Sequence, residues 1–179
     1  LSPIKSDRLK SGSHTVMVMK EMYNSNEKTI VVNDGQTTNA NIEMSVNFAI
    51  LTINTDEESD IYVDEELKGK GSWTGRLSEG SHYLEARKPS HKTIAKNINL
   101  IIGKNETITL EAPKPIYGFL DINTTPIMAE IYIDGEHYGQ TPSVINDLLV
   151  GEHELRLEKE GYSFFMKNIT IENGKTLEL

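Results

Sequence analysis

The sequence contains no cysteine in 179 residues, which excludes disulfide bonds, thiolate metal sites and cysteine catalysis within it. It also lacks any apolar run near the roughly 18 residues that a membrane-spanning helix needs. Basic residues are scarce, with 18 Lys and Arg against 27 Asp and Glu, and the net charge is −9. This charge repels phosphate backbones, so we expect no nucleic-acid binding and no transmembrane segment in these residues.

The motifs of common enzyme classes are missing as well. There is no Gly-x-Ser-x-Gly, no His-Glu-x-x-His and no Gly-x-x-x-x-Gly-Lys-Ser/Thr. Scattered carboxylates are expected in a chain of this charge and do not indicate catalysis. We therefore expect a protein that is not an enzyme, with no catalytic residues, no cofactor and no resident metal.

A recurring element does stand out. It begins Gly-x-His, alternates apolar and polar positions up to a Lys, and reaches an aromatic or imidazole ring three residues later. It occurs as GSHTVMVMKEMY at 12–23, GSHYLEARKPSH at 80–91 and GEHELRLEKEGY at 151–162. The copies stand about 70 residues apart, and similarity at a near-constant spacing indicates a tandem repeat.

The similarity extends around this element and divides the chain into about two and a half repeats. Residues 1–45 hold only the C-terminal half of a repeat, residues 46–114 a divergent repeat and residues 115–179 a complete one. The stretch EAPKPIYG at 111–118 carries two prolines, which favour an extended and stiff connection.

The periodicity is that of β-strands. Segments such as EIYID, HELRLE and NITIE alternate apolar and polar residues and are separated by turn signals. We predict an all-β fold of tandem small antiparallel β-sandwich domains, with about seven short strands in each complete repeat. A domain of this size is marginal alone, so neighbouring repeats should dock or be held by the linker. The half repeat should leave open sheet edges, which upstream residues or another chain would complete.

The third copy resembles the PEGA domain family over GFLDINTTPIMAEIYIDGEHYGQTP and the following LVGEHELRLEKEGY. The matching positions are Thr124, Pro126, Ala129, Asp134, Gly135, Gly139, Thr141, Pro142, Leu148, Gly151, His153, Lys159, Gly161 and Tyr162. The second copy departs from this pattern, with EESD at 57–60 in place of Pro-x-x-Ala and Glu65 in place of the turn glycine. The resemblance implies a transthyretin-like or carboxypeptidase-regulatory-like sandwich, found in cell-envelope proteins and beside kinases or anchors, without general catalytic residues.

Two polar features are candidates for metal or acid–base chemistry. The repeated histidines, His14, His82 and His153, lie in separate repeats and share no second ligand at fixed spacing. We therefore interpret them as structural groups that hydrogen-bond the adjoining turn. The acidic stretch 56–66 is interpreted as a solvated loop, with a Ca²⁺ site as the alternative.

Four aromatic residues are candidate ligand or partner contacts: Trp73, Tyr138, Phe164 and Phe165. Trp73 is the only tryptophan and stands in a polar, glycine-rich stretch that we interpret as a loop. There it would stack on a sugar ring, anchor a protein partner, or plug the end of its own sandwich. The last of these is the favoured interpretation.

Together these features predict a non-enzymatic structural or interaction module of the cell envelope. It would lie outside the cytoplasm, in the periplasm or on the cell surface, and act as a spacer or adhesion array that contacts an envelope protein or glycan. The alternatives are a glycan- or peptidoglycan-binding module and the sensor ectodomain of a larger protein. Because residue 1 is Leu, we expect a processed product or a fragment with an anchor or effector domain upstream.

Overall fold

The computed structural model describes residues 4–6 and 8–179. Every regular element in them is a β-strand and none is a helix, which confirms the predicted all-β class. Accordingly, these residues offer no helix of the length and apolarity required to cross a membrane.

The first repeat contributes a single hairpin, whose strands are β1 (Gly12–Val18) and β2 (Asn26–Val32). The second repeat contains β3 (Ala49–Asn54), β4 (Asp60–Val63), β5 (Glu66–Lys70), β6 (Ser72–Leu77), β7 (Gly80–Arg87), β8 (His91–Lys92), β9 (Ile94–Leu100) and β10 (Asn105–Thr109). The linker forms β11 (Lys114–Pro115). The third repeat contains β12 (Tyr117–Ile122), β13 (Glu130–Ile133), β14 (Glu136–Gln140), β15 (Ser143–Leu149), β16 (Gly151–Glu158), β17 (Phe165–Ile171) and β18 (Thr176–Glu178).

The second and third repeats have the same topology. One sheet of each has four strands, in the orders β5-β4-β7-β9 and β14-β13-β16-β17. The other has three, in the orders β10-β3-β6 and β18-β12-β15. The sheets are antiparallel as predicted except for one pair in each repeat, since β10 and β18 run parallel to β3 and β12. This parallel pair arises because the last strand returns beside the first strand of the same repeat.

Each sandwich buries its own apolar core. Strand β3 alternates fully buried Ala49, Leu51 and Ile53 with half-buried residues, as a strand with one face in a core should. The second core groups these with Ile61, Val63, Leu84, Ala86, Leu100 and Leu110. The third core consists of Leu120, Ile122, Ile131, Ile133, Ile145, Leu148, Leu155, Ile169 and Ile171. Full burial of one such aliphatic side chain contributes about 1.5–3 kcal/mol.

The strand register shows that the recurring element has the same structure in all three copies. In each copy the repeated histidine lies opposite an isoleucine; the pairs are His14–Ile30, His82–Ile98 and His153–Ile169. The turn that follows the second strand of each of these pairs, β2, β9 or β17, contains a glycine with a positive φ. The φ is 68° at Gly35, 75° at Gly103 and 64° at Gly174. A left-handed position of this kind suits glycine best.

A hydroxyl network closes one end of the third sandwich. The Thr141 side chain is buried, and its Oγ1 accepts the Ala129 N–H at 3.1 Å. It also hydrogen-bonds the Thr124 hydroxyl, which donates to the Pro126 carbonyl at 2.7 Å. Each hydroxyl therefore donates once, and Thr141 is left to donate to Thr124. This network explains why the motif places threonines at both positions.

The second repeat has lost half of this network. Thr55 occupies the position of Thr124, but Gly71 replaces Thr141. Gly71 has φ 70°, and a β-carbon there would lie 3.1 Å from the Glu57 backbone. The Thr55 hydroxyl is buried without a hydrogen-bond partner in the part of the chain that is described. It is a polar group whose burial is not compensated.

These two threonines give a matched pair of substitutions. We expect Thr124→Val to lower the free energy of unfolding by about 1–3 kcal/mol, because it leaves the Thr141 hydroxyl without its acceptor. We expect Thr55→Val to be neutral or stabilising, because it removes a buried hydroxyl that has no partner. Urea unfolding of the 179-residue chain with each substitution checks this, and equal losses at the two positions would contradict it.

Candidate functional site

The end of each recurring element is the same tight turn. The turn begins at a lysine, and the backbone N–H of the aromatic or histidine residue three positions later donates to the lysine carbonyl. These hydrogen bonds are Tyr23–Lys20 at 3.1 Å, His91–Lys88 at 3.2 Å and Tyr162–Lys159 at 3.0 Å. The third residue of each turn has a positive φ, 63° at Met22, 60° at Ser90 and 81° at Gly161. Two of the three are not glycine, so this backbone conformation is held by the structure around it.

In the first two copies this turn holds the segment that leads into the next repeat. Tyr23 forms a β-bridge with Val46, and the Asn47 N–H donates to the Met22 carbonyl at 2.9 Å. At the second junction β8 pairs with β11, so that His91 lies opposite Pro115. The Ile116 N–H donates to the Ser90 carbonyl, again at 2.9 Å. The second linker is therefore held as a short antiparallel strand and the first by an isolated antiparallel bridge, and we call the contacts at both junctions the linker clasp.

The second junction extends the clasp into the third repeat. The Ser90 hydroxyl donates to the Val150 carbonyl at 2.5 Å, and the Val150 N–H donates to the Ile116 carbonyl at 3.0 Å. Pro113 in the same linker is buried. One chain of hydrogen bonds thus joins the second repeat, the linker and the third repeat, as the marginal size of each sandwich predicts.

At the first junction, contacts between aromatic rings take the place of the Ser90 hydroxyl. The Tyr23 ring meets Phe48 edge to face, with centroids 6.0 Å apart. Phe48 is only 8% exposed, and the Arg76 guanidinium lies 4.6 Å above its ring. Edge-to-face pairs and cation–π contacts each contribute about 0.5–1.5 kcal/mol. The hairpin of the half repeat is anchored to the second sandwich by this cluster together with the clasp.

The third turn, Lys159–Tyr162, has no linker strand paired to it within residues 8–179. Beside it lies a cleft of about 380 Å³ whose lining includes Pro126, Leu157, Tyr162, Phe165 and Lys167. Tyr162 is 63% exposed and Phe165 is 50% exposed. In the second repeat the corresponding turn leads into β8, which pairs with the linker strand β11, and Pro113 of this linker is buried. The cleft is thus the apolar end of a sandwich that nothing in the described chain covers.

The repeated histidines connect turns to strands, as predicted. The Nε2 atom of each ring lies within hydrogen-bond distance of the carbonyl four residues earlier; these contacts are His14–Lys10 at 2.7 Å, His82–Ser78 at 3.0 Å and His153–Leu149 at 2.8 Å. In the complete repeats Nδ1 also meets a carboxylate oxygen, Asp64 or Asp134, at 2.6 Å. Both partners are acceptors, so only the protonated ring, which carries two N–H groups, donates to both at once.

The aspartate of this pair fixes the turn between two strands. Asp134 Oδ1 accepts the Glu154 N–H at 2.9 Å, and the Asp134 N–H donates to the Glu154 carbonyl at 3.0 Å. Burial raises the pKa of the Asp134 carboxyl, but the Glu154 N–H and the His153 ring outweigh it, and the pKa lies below its ordinary value. The pKa of Asp64 is lowered against burial in the same way by its equivalent partners. We call this arrangement the Asp–His clamp.

The carboxylates of the acidic stretch are engaged separately. The Ser59 hydroxyl donates to Asp56 at 2.5 Å and lowers the pKa of that carboxyl. Lys88 lies 2.5 Å from Glu58 and lowers its pKa. Across the described residues, no three His, Cys, Asp or Glu side chains are grouped to hold a metal ion. The interpretation of the whole stretch as a solvated loop is wrong, because residues 60–63 form β4 and Glu66 begins β5.

Trp73 lies in strand β6, so the prediction that it stands in a loop is wrong. It is half-buried opposite Ile53 and packs against the second core. A β-carbon at Gly75 would come within 2.1 Å of its Cζ2 atom, so the indole lies directly across that glycine. Sequence reading missed the strand because glycines interrupt its alternation. The position agrees with the favoured interpretation, in which the indole covers its own sandwich.

The other aromatic candidates are not brought into one surface. Tyr138 lies on β14, an edge strand, and is 38% exposed. Phe164 is 64% exposed and directly precedes β17. Only Phe165 lines the cleft, where Tyr162 joins it. The role of Tyr162 and of the turn before it was missed in the sequence, although the recurring lysine and ring signalled their position.

Comparison with known proteins agrees with this repeat structure. The family model described as PEGA domain matches residues 1–47 and 117–179, which together are more than half of the chain. These are the first and third copies; the second copy lies outside the match but has the same strand order as the third. A search of curated protein sequences found no match.

The Asp–His clamp gives a prediction about stability and pH. We expect Asp134→Ala to lower the free energy of unfolding by about 0.5–1.5 kcal/mol, because the His153 ring and the Glu154 N–H lose an acceptor that is about half exposed to solvent. Since the pKa of Asp134 is lowered on folding, its contribution is present above the ordinary pKa of about 4 and is lost as the pH falls below it.

The measurement is urea unfolding of wild type and Asp134→Ala from pH 7 down to pH 3. The difference between the two should shrink below about pH 4. The control is Asp147→Ala, which removes an exposed carboxylate from β15 of the same repeat. A difference that stays constant across this range would show that the carboxylate is not responsible.

Proposed function

Because this chain belongs to the PEGA domain family, we propose that it is a non-enzymatic structural and interaction module outside the cytoplasm, in which repeats in fixed register act as a spacer. The linker clasp is the observation that supports this proposal most directly. A flexible tether would leave its backbone groups to water, whereas here both linkers pair with the preceding repeat.

The clasp gives the spacer its mechanism. Strand pairing fixes the direction in which the chain leaves one repeat, and the contact between Ser90 and Val150 fixes where the next begins. Hydrogen bonds to the backbone then fix the position of one repeat relative to the next. The envelope setting is supported by the family to which the chain belongs. An upstream anchor or effector and an envelope protein or glycan as partner are parts of the same proposal.

Spin labels can test whether the junction is fixed. The chain has no cysteine, so Lys96→Cys and Glu136→Cys place one label on β9 and one on β14 without further changes. We expect double electron–electron resonance to give one narrow distance distribution. The control adds Gly-Ser-Gly after Ala112, which separates the linker from its clasp and should broaden the distribution. Equally broad distributions in both proteins would contradict a spacer of fixed geometry.

The cleft of the third repeat favours a second candidate function, the binding of envelope glycans. Its two exposed rings, Tyr162 and Phe165, offer faces on which a sugar ring stacks. Lys159 and Lys167 line the same cleft and supply hydrogen-bond donors. Trp73, a candidate from the sequence for this role, lies in the other complete repeat against its own core.

Sedimentation with purified peptidoglycan separates the two functions. For a spacer we expect the full chain to stay in the supernatant at physiological salt. Retention that is lost in the double variant Tyr162→Ala, Phe165→Ala would support the glycan-binding candidate instead. Trp73→Phe is the control, because it changes a half-buried ring in another repeat. Retention that survives in both variants would contradict binding at the cleft.

A further inference from the structure

Three segments of the chain have the pattern Asn-x-Thr, the acceptor pattern for N-linked glycosylation of proteins outside the cytoplasm. They are Asn105-Glu106-Thr107, Asn123-Thr124-Thr125 and Asn168-Ile169-Thr170. A pattern this short also occurs by chance in ordinary sequences. The position and the contacts of each asparagine therefore decide whether it can accept a sugar.

Two of the three patterns lie on edge strands. Asn105 begins β10, the edge strand of its three-stranded sheet, and Asn168 lies in β17, the edge strand of a four-stranded sheet. Residues two apart share one face of a strand, so each asparagine stands on the same face as its threonine, Thr107 or Thr170. All four of these residues are exposed, whereas Ile169 is buried in the core. Amide and hydroxyl are thus presented together to solvent.

The side-chain amides of these two asparagines are unengaged. Neither Asn105 nor Asn168 makes a side-chain hydrogen bond within the part of the chain that the structure describes. Asn123 differs, because its Nδ2 donates to the Asp121 carboxylate at 3.2 Å. The next residue, Thr124, is held in the hydroxyl network at the end of the sandwich. These contacts separate Asn105 and Asn168 from Asn123.

We propose that Asn105 and Asn168 are sites of N-linked glycosylation. This inference rests on the proposed location outside the cytoplasm. The co-substrate is an oligosaccharide joined through its first sugar to a lipid diphosphate. The asparagine Nδ2 forms a bond to C1 of that sugar while the C1–O bond to the diphosphate breaks. The diphosphate leaves with the electron pair of this bond, and the amide gives up one proton to a base of the transferring enzyme.

A glycan at either position protects a strand edge. An edge strand presents unpaired N–H and C=O groups that pair readily with another chain, and natural proteins cover or blunt such edges. A glycan is bulky and strongly solvated, so it keeps other chains away from the edge that carries it. At Asn168 it also stands next to Met166, an apolar residue on the same face that is 47% exposed.

The second repeat contains a matched position that lacks the threonine. Asn97 lies opposite Tyr83 in β9, just as Asn168 lies opposite Glu154 in β17. Asn97 is exposed as well, but the residue two positions later is Asn99, so the hydroxyl is missing. We expect Asn97 to be unmodified in the wild-type protein. The substitution Asn99→Thr should make it an acceptor.

The test is peptide mass spectrometry of the protein purified from its natural host, with electron-transfer fragmentation to locate each modification. We expect sugar masses on Asn105 and Asn168, and none on Asn97 or Asn123. Expression of Thr170→Ala in the same host should abolish the modification of Asn168, although the asparagine itself is unchanged. Thr170→Ser is the control that retains the hydroxyl and should retain the sugar.

The absence of sugar from Asn105 or Asn168 would overturn the assignment of that residue, and its absence from both would overturn the proposal. Sugar on Asn168 that survives Thr170→Ala would contradict recognition through the hydroxyl. Fractionation of the same cells distinguishes the failure of this inference from that of the proposed function. Unmodified protein in the envelope fraction counts only against glycosylation, whereas unmodified protein in the cytosol counts against the location as well.

Discussion

The backbone hydrogen bond from each linker to the positive-φ residue of the preceding turn is the contact on which the array depends. At both junctions a linker N–H, of Asn47 or Ile116, donates to the carbonyl of Met22 or Ser90 at 2.9 Å. A sandwich of fewer than 70 residues buries a limited part of its surface, so little stability is available to hold neighbours by apolar contact alone. A main-chain bond is independent of the side chain, which is why Met22 and Ser90 perform the same role in unlike surroundings.

The same tolerance appears within the sandwiches. In the second repeat the Arg87 guanidinium lies 4.1 Å over the Tyr62 ring and pairs with Glu85. In the third repeat the charges are exchanged, so that Arg156 stands where the second repeat has glutamate and Glu158 stands where it has arginine. The Arg156 guanidinium still lies 4.5 Å over the ring of the equivalent tyrosine, Tyr132, and 3.1 Å from the Glu158 carboxylate. Both repeats therefore keep an arginine over a tyrosine ring and a carboxylate beside that arginine. Only the order of the two charged residues along the strand differs.

Much of this fold could be predicted from the sequence because its signals are local. Alternation predicted the strands, and the glycines at 35, 103 and 174 marked turns that do have positive φ. The structural role of the histidines also followed from their separation into different repeats. The loop assignment of Trp73 failed because Gly75 leaves room for an indole and thereby hides a strand position. The lack of a hydrogen-bond partner for the Thr55 hydroxyl could not be predicted from the residues around Thr55. It arises because Gly71, a residue distant along the chain, stands where the third repeat has Thr141.

The candidate sites were harder to predict because they are defined by what neighbouring repeats cover. Nothing in LEKEGY distinguishes Tyr162 from a ring that receives a linker, as Tyr23 does. Within the described residues, only the tandem arrangement shows that the turns at Tyr23 and His91 receive a linker, whereas the turn at Tyr162 is not paired with one.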